Sequence, residues 1–124
     1  MTTRLCLVRH GETAWNAERR IQGQIDVPLS AAGHAQARAT ANALAQEPFC
    51  AIYSSDLARA QHTAEAAAHL LGLPVRRHAG LRERHYGVLQ TLTYAEFERR
   101  HPQAHARFLA REEAFALPGG YIGV

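Results

Sequence analysis

The chain contains no lysine, two cysteines, one tryptophan and no apolar stretch long enough to cross a bilayer. Each shortage excludes something. A membrane-spanning helix needs about 20 consecutive apolar residues, so no membrane partner is expected. Cys6 and Cys50 form neither a CxxC pair nor a dense framework, and their apolar surroundings make them expected buried thiols. With lysine missing, the sequence pI of about 9.3 is set by arginine. Those arginines alternate with Asp, Glu and Ala rather than forming a basic block. No zinc spacing, interleaved aromatics or recognition-helix pattern accompanies them, so nucleic acid is not an expected partner either. Met1-Thr2-Thr3-Arg4 leads into apolar residues without a secretory h-region or cleavage site, which makes the cytoplasm the expected location.

What is present fits one globular domain over residues 1–124. Its 47% apolar and 20% charged residues are enough to build a core. Leu5, Cys6, Leu7 and Val8 read as a short buried strand. A polar, glycine-containing loop follows from Asn16 through Gln22, Gly23 and Gln24 to Pro28. Ser30 is placed to cap an alanine-rich helix over 31–46 that Pro48 ends. Residues 50–54 read as a second strand, and Asp56 is placed to cap a helix over 57–71 closed by Gly72 and Pro74. Residues 75–78 read as a third strand. Thr93-Tyr94-Ala95-Glu96 has capping-box spacing and opens a further helical stretch, broken near Pro102 and running to about Phe115. Strand, helix, strand, helix, strand predicts an α/β fold, with a mainly parallel sheet covered by helices in three layers.

In such a sheet the ligand site lies beyond the carboxyl ends of the strands. Three segments fall there: Arg9-His10-Gly11-Glu12-Thr13 with Asn16, Ser54-Ser55-Asp56-Leu57-Ala58-Arg59-Ala60, and Leu81-Arg82-Glu83. An arginine beside a histidine suits a phosphate better than it suits burial, because the guanidinium offers a planar fork of donors to anionic oxygens. Two arginines, a histidine and a carboxylate are expected to converge on one pocket. His34, His62, His69, His78 and His85 read as surface or loop residues. His101 and His105 have the i, i+4 spacing of a zinc pair but no third ligand, and no metal is assigned to them.

The ordered set formed by Arg9-His10-Gly11-Glu12-Thr13 with Asn16, Gln22-Gly23, Asp26-x-Pro28-Leu29-Ser30-x-x-Gly33, the Ser54–Ala64 segment, Leu81-Arg82-Glu83 and Tyr86-Gly87 resembles the phosphoglycerate-mutase-like branch of the histidine phosphatase superfamily. The resemblance implies that His10 is a nucleophile forming a phosphohistidine, discharged by water in a phosphatase or by an acceptor hydroxyl in a mutase, and that Arg9 and Arg59 hold the phosphoryl oxygens. Glu83 then protonates the leaving alkoxide, and Asn16, Gln22, Gly23 and Tyr86 line the substrate side. Two guanidiniums can neutralise the transferring group without a metal, so no cofactor is expected. The expected partner is a small phosphorylated substrate or inorganic phosphate.

The resemblance also implies a second catalytic histidine in a Ser/Thr-His-Gly motif, and no such motif stands in these 124 residues. It breaks off between Gly120 and Tyr121, where a truncated, frameshifted or replaced tail is the expectation, leaving the family fold incomplete at its C-terminus. Impaired turnover is expected, with an inactive phosphate-binding remnant as the alternative. In the family fold the strand bearing that histidine lies between the first two strands. The gap is therefore expected to close by direct pairing of those strands or to be filled by a second copy, giving a homodimer. Thr91 stands where many relatives carry glycine.

Overall fold

A computed structural model describes residues 2–111. Helix α1 (Ala14–Ala17) is a single turn, and α2 (Ala31–Leu44) leads to β1 (Ile52–Ser54); α3 (Ala58–Leu71) follows, then β2 (Val75–Arg77). Two 3₁₀ turns, Ala79–Leu81 and Gly87–Leu89, precede α4 (Tyr94–Arg100) and α5 (Pro102–Leu109). The strands β1 and β2 pair in parallel with Ile52 opposite Val75, joined by the α3 crossover that the alternation predicts. The result is mixed α/β, with a two-stranded sheet among the described residues.

Local chemistry sets most boundaries. Ser30 Oγ accepts from the Gly33 amide at 3.1 Å and caps α2. Thr93 and Glu96 satisfy each other's backbone amides at the start of α4, and Pro102 opens α5 immediately after α4 ends at His101. The α3 helix stops where Gly72 turns left-handed at φ 66°. Alanines 37 and 41 of α2 and 67 and 68 of α3 are buried. Their small side chains let the two helices pack closely together.

Four expectations need correction. Residues 5–8 form no strand: Leu5 is 85% and Leu7 94% exposed, and the segment pairs with neither β1 nor β2. An apolar run supplies the side chains of a buried strand, but a strand exists only when a neighbour completes its ladder. Direct pairing of residues 5–8 with β1 therefore does not occur. Cys6 and Cys50 are exposed, free thiols rather than buried ones.

Asp56 does not cap α3, because Leu57 holds the N-cap position without a side-chain bond. Asp26 instead reaches across from the preceding loop and accepts from the Ala58 amide at 2.7 Å. Asp56 meets Arg82 as a fork, at 2.6 Å to Nε and 2.5 Å to Nη2, and this pairing holds its carboxyl below the usual carboxylate range. Finally, the loop after His10 contains α1, opened by a Thr13/Asn16 capping box. The expected helix end near Phe115 lies outside the described residues.

The described residues also hold a hydrophobic cluster. Ile21, Leu89, Leu92 and Phe97 are buried together, with Tyr86, Ala104 and Phe108 against them. Edge-to-face contacts join Phe97 to Phe108 at 5.6 Å and Phe108 to Tyr86 at 6.2 Å. This cluster ties α4 and α5 to the loops that carry Gln22 and Tyr86.

Candidate active site

Arg9, His10, Asn16, Gln22, Gly23, Arg59, Glu83 and Tyr86 all border one cleft of about 1280 Å³. Its volume exceeds the ~300–1,000 Å³ common for small-ligand pockets. Its lining also includes the apolar side chains of Leu5, Leu7, Leu44, Ala67 and Leu71.

His10 follows the unpaired segment and is half-buried. Its Nδ1 lies 2.7 Å from the Gly11 carbonyl oxygen. A carbonyl only accepts, so Nδ1 carries the proton and Nε2 keeps its lone pair. Burial pushes the imidazole below its ordinary pKa of 6.5, and the positive charges of Arg59 and Arg9 push the same way; the Gly11 carbonyl and the Glu83 carboxylate oppose them. The net effect favours a neutral, nucleophilic ring near neutral pH.

The loop bearing His10 is clamped onto the start of α2. The Ser30 amide and hydroxyl both donate to the Glu12 carbonyl, at 2.9 and 3.1 Å, and the Glu12 amide donates to Gln36 Oε1 at 2.8 Å. On the other side the Gly11 amide donates to Thr63 Oγ1 at 3.0 Å.

Arg59 is 2% exposed, yet no carboxylate pairs with it directly in a salt bridge among the described residues. Its Nη1 donates to the Ile25 carbonyl at 2.7 Å and its Nη2 to the Gly23 carbonyl at 2.6 Å. Burial lowers its pKa, while the charges of Glu83 and Asp26 act in the opposite sense. The guanidinium stays charged, because the intrinsic value is far above neutrality. With five N–H donors in total, it retains donors beyond those two bonds. Arg9, by contrast, is exposed.

Asn16 and Gln22 are turned toward each other through Thr13, which has no exposed surface. Asn16 Oδ1 accepts from the Thr13 amide at 3.0 Å, and the Thr13 hydroxyl lies 2.7 Å from Gln22 Oε1. The two side-chain oxygens thus brace the loop. Glu83 is exposed and accepts from the Arg84 amide at 2.7 Å, while its carbonyl accepts from Gln24 Nε2 at 3.1 Å. Burial, then the charges of Glu83 and Tyr94, raise the Tyr86 hydroxyl above its usual pKa, so it stays a donor.

Sequence reasoning passed over Thr13 and Thr63 as structural parts of the site. A capping-box spacing at Thr13–Asn16 was the available signal for the first. For Thr63 nothing local pointed to Gly11, 52 residues away. Among the described residues no three His, Cys, Asp or Glu side chains gather as a metal ion would require, and no helix is long and apolar enough to cross a membrane.

Residues 5–123 match the model of the histidine phosphatase superfamily (branch 1), and the chain belongs to that family. Phosphoglycerate mutase-like protein 4 of Arabidopsis thaliana is 45% identical over 118 residues, covering 94% of this chain and 51% of that protein. A metal-independent phosphoserine phosphatase of the same plant is 44% identical over 120 residues, covering 95% and 50%. Among solved structures, a mycobacterial glucosyl-3-phosphoglycerate phosphatase in complex with VO3 superposes with a TM-score of 0.83 at 42% identity, covering 91% of this chain and 54% of that one. The chain thus spans about half the length of the curated relatives it matches. Its α/β fold is phosphoglycerate-mutase-like, as the sequence implies.

Proposed function

We propose that this chain carries the nucleophilic half of a phosphotransfer site and accepts a phosphoryl group from a small phosphomonoester onto His10. The observation that carries this reading is the His10–Gly11 hydrogen bond, which leaves Nε2 unprotonated on a ring that borders the cleft with Arg9, Arg59 and Glu83. Nε2 attacks phosphorus in line, forming an N–P bond as the P–O ester bond breaks. Arg9 and Arg59 balance the charge on the phosphoryl oxygens, and the Glu83 carboxyl gives its proton to the departing alkoxide. Water then attacks the phosphohistidine, returning a proton to Glu83 and restoring the imidazole. Asn16, Gln22, Gly23 and Tyr86 form the wall against the substrate's organic part.

Support comes from family membership and from relatives named as phosphatases and a phosphoglycerate mutase-like protein. Slow turnover by these residues on their own is part of the reading. Brief incubation with a ³²P-labelled aryl phosphate tests it. Acid-labile label on His10, absent from His10→Asn, is the expected result; binding of inorganic phosphate without label would instead mark an inactive remnant.

Two further elements belong to this reading. The exposed Leu5 and Leu7 give a second copy an apolar edge to cover. A homodimer is the expected state, and sedimentation at a single monomer mass rejects it. The exposed thiols of Cys6 and Cys50 suit a reducing compartment such as the cytoplasm. Fractionation of cells expressing the protein checks that placement.

A further inference from the structure

The loop of the proposed nucleophile and the helix of the buried arginine are joined at one side chain that neither role explains. Thr63 lies one turn beyond Arg59 on α3 and is 7% exposed. Its hydroxyl donates to the Arg59 carbonyl at 2.7 Å, the usual i−4 bond of a threonine inside a helix. That bond occupies its only proton and leaves its oxygen lone pairs for another donor. The Gly11 amide takes that place, at 3.0 Å and from a residue 52 positions away. Gly11 in turn accepts the His10 Nδ1 proton on its carbonyl at 2.7 Å. Three hydrogen bonds therefore run from the imidazole, through Gly11 and Thr63, to the backbone of the turn that carries Arg59.

The chain of bonds matters because Gly11 has the loosest backbone of any residue type. The peptide that carries the Gly11 carbonyl is held through the Glu12 amide on Gln36, and the Thr63 bond holds the other peptide of Gly11, the one joined to His10. With that amide free, His10 would shift relative to the carbonyl, and its ring would lose the aligned acceptor that keeps its proton on Nδ1. The other neutral tautomer carries its proton on Nε2 and has no lone pair there. A second-neighbour group that fixes the partner of an imidazole thereby fixes which nitrogen is free to react.

We propose that Thr63 is a positioning residue that selects the reactive tautomer of His10 and sets it in register with Arg59. This rests on His10 as nucleophile, but the coupling itself is measurable without turnover. Arg9, Arg59 and Glu83, the charged groups that act on the ring, are unchanged in every variant used to test it.

The experiment is long-range ¹H–¹⁵N correlation on ¹⁵N-histidine-labelled protein at a pH above the imidazole titration, with His10 assigned by its loss in His10→Asn. Wild type and Thr63→Ser are expected to show protonated Nδ1 and bare Nε2. Thr63→Val is expected to show a mixture, together with about tenfold slower labelling of His10, the loss that one net hydrogen bond of ~1.4 kcal/mol produces. A Thr63→Val protein that keeps the wild-type tautomer overturns the proposal, and so does a Thr63→Ser protein that loses it. If the valine variant does not fold, Thr63→Ala serves as the hydroxyl-free form. Rapid exchange of the wild-type Gly11 amide would overturn the proposal independently. Wild-type protein that takes no phosphoryl label but keeps the tautomer pattern sinks the phosphohistidine reading alone.

Discussion

Gly11 and Gly33 meet backbone to backbone, so closely that a Cβ on the first would overlap the Gly33 carbonyl and one on the second would overlap the Glu12 carbonyl. The contact seats the His10 loop on the first turn of α2, where Ser30 binds both the Gly33 amide and the Glu12 carbonyl.

Replacing Gly33 by alanine separates this contact from helix propensity. Inside an ordinary helix the change would add up to about 1 kcal/mol of stability. Here overlap with backbone is expected to cost about 2 kcal/mol and to slow labelling of His10. Urea denaturation of Gly33→Ala decides the sign, and a stabilised variant would rule the contact out.

On the proposed function, Arg59 is expected to link stability to anion binding. In Arg59→Met the Gly23 and Ile25 carbonyls lose their donors, which is expected to cost about 3 kcal/mol of folding free energy. Phosphate affinity is expected to drop in the same variant, because a fixed positive charge leaves the cleft. Calorimetric titration with inorganic phosphate measures the second effect; unchanged binding would remove Arg59 from the site.

The pH dependence follows from His10. Its folded pKa lies below the ordinary 6.5, so between the two values the unfolded chain binds more protons than the folded one. The stability from this residue is therefore complete above 6.5 and falls as pH drops through the folded value. The labelling rate is expected to follow the same neutral ring, declining on the acid side only below 6.5. An NMR titration of the His10 ring with a midpoint above the ordinary histidine value would contradict both statements.

Thr91 holds a left-handed backbone at φ 85°, a region where a β-branched residue is strained. Its amide donates to the Ile21 carbonyl at 2.9 Å, and its carbonyl takes Arg20 Nη1 at 2.5 Å, which together hold it there. Thr91→Gly is expected to gain about 1 kcal/mol and raise Tm by about 5 °C in thermal denaturation. A lowered Tm would show that the side chain contributes more than its backbone costs.

Much of this fold was legible because its signals are local. Ser30, Thr93 with Glu96, Pro102 and Gly72 act within a turn of their own positions, and each does what its type and place indicate. The capping of α3 was not legible in this way, because its acceptor comes from Asp26, on a different loop, while the nearby Asp56 turns to Arg82. The apolar run at residues 5–8 misled for the same reason: its side chains suit a strand, but pairing depends on what lies alongside.

The candidate site divides along that line. The sequence alone determined which residue types are available, with Arg9, His10, Arg59 and Glu83 standing in an order that resembles the family's, while the fold brings all four to one cleft. Only tertiary structure decided their state. It placed the imidazole proton on Nδ1, buried the Arg59 guanidinium against two carbonyls and turned Asn16 and Gln22 onto Thr13. Residue type fixes what a group can donate or accept, but the partner it meets and the water it loses come from segments tens of residues away.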